Sequence, residues 1–123
     1  MGVDELIDRY LLAAAEHWES LKTHGHDTSA VRRGNQAADD MRRLATEIGA
    51  AGSTAMQAFG RLLDEPRNGV QGWAAFHVLE VMQAPADLVD QAFRVLEMIA
   101  SGDGLHALGT RSRLRELRSQ YGR

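Results

Sequence analysis

At 123 residues, with no cysteine, 14 basic and 17 acidic side chains and a net charge of −3, the chain excludes a disulfide framework, a thiolate nucleophile and a zinc–thiolate site, and it offers nucleic acid no global attraction. The length suits one domain, 1–123, that buries roughly two thirds of the surface its unfolded form exposes. The longest uncharged run near the N-terminus, Tyr10 to Ala15, is too short for a signal-peptide core, and no apolar run approaches the ~20 residues needed to cross a bilayer, so the expected setting is cytoplasmic, unprocessed and off the membrane.

Six helical segments and almost no strand signal follow in chain order. The first, from about Asp4 to His24, sets Leu6, Ile7, Tyr10, Leu11, Ala14, Trp18 and Leu21 on one face at helical spacing. Asp4 and Glu5 oppose the positive end of its dipole, and Gly25 suits the left-handed stop. The second starts near Thr28 or Ser29 and carries Val31, Gly34, Ala38, Met41, Ala45 and Ile48 inward. Gly34 reads as a close helix–helix contact despite costing ~1 kcal/mol relative to Ala. The third begins at Ser53 as N-cap and turns Met56, Phe59, Leu62 and Leu63 inward before Pro66 forbids continuation.

Asn68 then caps a fourth helix, Gly69 to about Gln83, that is apolar over most of its circumference and is the expected centre of the molecule. Pro85 suits the first turn of the fifth, whose stripe is Leu88, Val89, Ala92, Phe93, Leu96 and Ile99, and Ser101 to Gly104 turns the chain. The sixth packs Ala107, Thr110, Leu114, Leu117 and Tyr121, and leaves Arg111, Arg115 and Arg118 on the solvated side as a terminal unit requires. The segment from Leu105 to Arg123 holds five arginines against Glu116, +4 in a chain of net −3, leaving −7 on the remainder.

Ala58-Phe59 with Leu62 recurs as Ala92-Phe93 with Leu96, thirty-four positions on, which suits a helical hairpin stacked on a copy of itself. Leu62-Leu63-Asp64 followed by Pro66, Asn68, Val70, Ala74-Ala75 and Leu79 resembles the HEAT-repeat signature, with Gln71 where that family commonly has Arg. From about Tyr10 to the end, with Trp73 to Glu80, Pro85 and Leu114 to Leu117, the chain is similar to a family of short bacterial HEAT-like proteins known only as a domain of unknown function. The resemblance implies an all-α fold, an alpha-alpha superhelix of about three hairpins (4–49, 53–83 and 85–121). It implies no catalytic residue and no cofactor.

Helix four holds the candidate working surface. At ~100° per residue, Trp73, Phe76, His77 and Glu80 fall opposite the arc of Val70, Ala74, Val78 and Leu79. Inner helices of such solenoids line a concave face, where aromatics beside His and Glu are anchors for a partner; a Trp and a Phe in a central helix also serve as packing. His77 is expected to bond Glu80 or backbone. The leading expectation is a non-enzymatic protein–protein interaction module, accessory or immunity-type, binding through a groove formed by the second helices of the three hairpins, with homo-oligomerisation open. One alternative is nucleic-acid or acidic-partner binding through Arg111, Arg115 and Arg118. Another is a small metal-dependent enzyme using His77 with Glu80, or His24 and His26 with Asp27 after His17, a spacing that matches no standard zinc site.

Overall fold

The computed structural model describes residues 1–22 and 27–123. Among these it is all helical, with no strand: α1 (Val3–Lys22), α2 (Thr28–Ala50), α3 (Ser53–Gly60), two short 3-10 turns (Arg61–Asp64 and Arg67–Gly69), α4 (Val70–Glu80), α5 (Ala86–Ala100) and α6 (Gly104–Tyr121).

Helix boundaries follow local chemistry. The Asp27 carboxylate accepts from the backbone N–H groups of Ser29 and Ala30 at 2.9 and 3.4 Å, so Asp27 caps α2 and Thr28 is its first residue. Ser53 likewise lies inside α3; its N-cap is Gly52 at φ 106°, a conformation glycine adopts without strain. Pro66 ends the third segment as expected. Asn68 (φ 55°) and Gly69 (φ 67°) then both turn left-handed, which re-aims the chain into α4. That helix stops at Glu80, short of Gln83.

Neighbours in sequence pack as neighbours in space: α1 lies most extensively on α2, α4 on α5, and α5 on α6. Close approach in the first pair needs Gly34, where an added Cβ would sit 2.6 Å from the Ser20 hydroxyl. The packed face of α2 is turned slightly from the expected one. Ala30, Ala37 and Leu44 are buried with Met41, Ala45 and Ile48, whereas Val31 is exposed and Ala38 half-buried.

One continuous core joins the helices, centred on the fully enclosed Ile7, Tyr10, Met41, Ile48, Phe59, Leu63, Val70, Val78 and Leu96. The recurring positions Phe59 and Phe93, and Leu62 and Leu96, are all buried in it. Gln71 donates to the Leu63 carbonyl at 2.9 Å, which ties α4 back to the turn before it. At the far end Tyr121, half-exposed, donates to the Leu79 carbonyl at 2.7 Å and meets Phe93 edge-on.

Candidate functional site: an apolar groove between α1, α4 and α6

The apolar stripe of α1 is longer than the core it serves. Leu6, Ile7, Tyr10 and Ala14 are buried, but the last two members emerge: Trp18 is 42% and Leu21 65% exposed. With His17 they form one wall of a groove of about 610 Å³. Asn68, Gly69, Gly72, Trp73 and Phe76 supply the floor, and Leu105, His106, Gly109, Thr110 and Arg113 the opposite wall. The sequence expectation placed the second helices of the hairpins here. Two of them, α4 and α6, do line it, but the third wall is α1, and no residue of α2 contributes.

Glycines shape the floor. A Cβ on Gly69 would lie 3.9 Å from the Trp18 ring, so that ring covers the backbone at the entry to α4. Gly109 has open space where its Cβ would point. Residues of this kind let a bound element approach the helix backbone.

Of the four residues singled out on α4, Trp73 is half-buried and Phe76 is 6% exposed; both reach the groove with one edge. Glu80 sits beyond its rim, accepting from Arg113 Nη2 at 2.7 and 2.8 Å, with Arg42 3.8 Å away. The same Arg113 guanidinium stacks on Phe76, 3.7 Å from the ring centre.

His77 is not at the surface and does not bond Glu80. It is 3% exposed, and its Nδ1 lies 2.7 Å from the Tyr10 hydroxyl. The His77 tautomer sets which of the two groups donates. Burial, then the nearby Arg42 and Arg113, lower the His77 pKa to about 4. Burial alone raises that of Tyr10 well above 10. An aromatic column runs outward from this pair: Trp73 stacks on His77 at 5.8 Å between centres, and His17 meets Trp73 edge-on at 4.9 Å. Partial burial lowers the His17 pKa as well. His77 is thus bonded to Tyr10 and Glu80 to Arg113, so the two side chains do not meet as the expected pair.

The arginines of α6 are exposed but largely engaged. Arg111 donates to the Ala100 and Gly102 carbonyls at 2.8 and 3.3 Å, and closes the α5–α6 turn. Arg118 lies 3.4 Å from Glu97, and Arg123 pairs with Asp90. Arg115 has no ion pair among the described residues. Together with Glu97 these arginines line a shallow surface of mixed charge. His24 and His26 lie outside the described residues, among which no cluster of three metal-type side chains occurs.

No family model, no curated protein and no solved structure matches this chain. No helix among the described residues is long and apolar enough to cross a membrane.

The sequence expectation included α6 as a wall but named none of its groove residues, and it did not include the α1 end. Leu105 and Leu108 fall outside the inner stripe of α6, and that off-stripe position was the available signal.

Proposed function

We propose that this chain is a non-enzymatic binding module that takes an apolar segment of a polypeptide partner into the groove between α1, α4 and α6. One observation carries the reading: α1, α4 and α6 deliver Trp18, Leu21, Trp73, Phe76 and Leu105 to a single solvent-open concavity. Aromatic anchors in a concave apolar site are where partner binding energy concentrates. We read the helices as a HEAT-like alpha-alpha superhelix of three hairpins. Sequential packing and the buried recurrence of Phe59 and Leu62 as Phe93 and Leu96 support that arrangement. An accessory or immunity-type role in the bacterial cytoplasm is the setting such a module suits. Binding of nucleic acid or an acidic partner through Arg111, Arg115 and Arg118 has less support, since Arg111 and Arg118 already have partners within the chain.

The test is selection of peptides from a random displayed library on the immobilised chain, followed by Gly109→Leu, which fills the groove, and Arg115→Glu as control. The reading requires selected peptides rich in large apolar residues whose binding is lost on Gly109→Leu and kept on Arg115→Glu. Recovery of no peptides, or of peptides indifferent to Gly109→Leu, would overturn it.

A further inference from the structure

The groove differs from the rest of the molecule in charge. The chain carries 17 acidic side chains, yet no described one lines the groove, whose ionisable groups are His17, His106 and Arg113. Partial burial biases His17 to its neutral form, whereas Arg113 is charged at every pH of interest. Two helix starts add to this. The groove is lined by Gly69 at the head of α4 and by Leu105 and His106 in the first turn of α6, and neither helix has an acid in its first turn or a side-chain cap, so their positive dipole ends are left uncompensated there.

Arg113 is held ready to receive an acid. Its guanidinium lies 3.7 Å from the centre of the Phe76 ring, and only Nη2 donates to Glu80. Nε and Nη1 make no hydrogen bond among the described residues, and the side chain is 46% exposed. Stacking and the bond to Glu80 fix the plane of the fork, so a further carboxylate binds at little cost in side-chain ordering. Glu80 does not cancel the local charge. Arg42 lies 3.8 Å from the same carboxylate, so two guanidiniums share one acid and this cluster keeps +1. Beneath the groove floor, burial and then these two guanidiniums lower the His77 pKa, as a net positive field requires.

We infer that the segment received in this groove is acidic as well as apolar: it carries an Asp or Glu side chain that binds the open N–H groups of Arg113 while its apolar side chains lie against Trp18 and Trp73. This rests on the groove being a polypeptide site. Arg113 stands at the rim, within reach of a side chain from a segment that continues past it, so the acid comes from a side chain and not from a chain end. A segment bearing Lys or Arg at that position meets an uncompensated positive charge and is rejected.

Isothermal titration of the full chain with a library-selected peptide tests it, using the peptide, its analogue with the acid changed to the amide (Glu→Gln or Asp→Asn), its form with an amidated C-terminus, and R113Q. The expected result is a selected set that keeps an Asp or Glu beside its apolar residues. The side-chain amide analogue binds the wild type at least about fivefold more weakly, and the same change matters less than about twofold on R113Q. The analogue leaves the protein untouched, so the test stands even if R113Q folds poorly. A selected set without a preferred acid, or an analogue as tight as its parent, overturns the inference; so does an equal effect on R113Q, or binding lost only when the chain end is amidated. If peptides that fail in these ways are still lost on G109L, the acid is excluded and the groove reading stands, whereas recovery of no peptide removes both.

Discussion

Tyr10 and His77, 67 positions apart, share a 2.7 Å hydrogen bond inside the core, and that bond joins the first helix of the chain to the central one. It is enclosed edge-on by Phe59 and stacked by Trp73, whose other edge reaches the groove.

Tyr10→Phe keeps the ring and deletes the hydroxyl, leaving His77 Nδ1 buried without a partner. The expected loss is about 1–3 kcal/mol of folding stability, the cost of an unsatisfied buried polar atom, read by urea denaturation. The groove stays intact, so peptide affinity is retained below the new midpoint.

The same histidine makes stability depend on pH. Its folded pKa of about 4 lies below the ordinary 6.5, so between these values the unfolded chain binds more protons and stability falls as pH falls. The contribution is intact above 6.5 and is lost progressively down to about 4, amounting to roughly 3 kcal/mol. His77→Phe removes this slope from stability measured across that window, apart from the smaller share of His17; a slope identical to wild type would contradict the buried neutral imidazole.

Gly34→Ala brings a Cβ to 2.6 Å from Ser20 Oγ and should destabilise by about 1–3 kcal/mol through overpacking, despite the better helix propensity of Ala. Adding Ser20→Ala removes the offending oxygen. The double variant should recover most of the loss, and a purely additive double variant would show that the α1–α2 contact lies elsewhere.

Phe59→Ala in the core should cost about 3–5 kcal/mol, whereas Leu105→Ala, on the 87% exposed leucine, should stay within about 0.5 kcal/mol. Thermal melts of the two compare a residue held by the fold with one that the fold does not use.

Which parts were legible in the sequence divides along local and non-local lines. The order of six helices, the stop at Pro66, the close contact at Gly34 and the inward faces of α5 and α6 follow from spacing and turn chemistry within a few residues. The seat of α2 does not: Ala30 and Ala37 are no more apolar than their neighbours, and the packing partner on α1 decides which is buried. The bond from His77 to Tyr10 depends on a contact between positions 67 apart, so a nearer partner, Glu80 or backbone, was expected. Trp73 and Phe76 were placed on a working face from their position on α4 alone. That they serve both core and groove follows from α1 outrunning the core and from α6 lying alongside, neither of which is written in the sequence of α4.

The chain has two tryptophans, Trp18 and Trp73, and both line the groove, so tryptophan emission excited selectively over Tyr10 and Tyr121 reports on that site. Titrating a library-selected apolar peptide while following emission and acrylamide quenching tests the central claim most directly. A blue shift and a loss of quenching that saturate with binding, both absent in Gly109→Leu, are the predicted result. Binding at full affinity with emission and quenching unchanged would place the partner elsewhere and contradict the account.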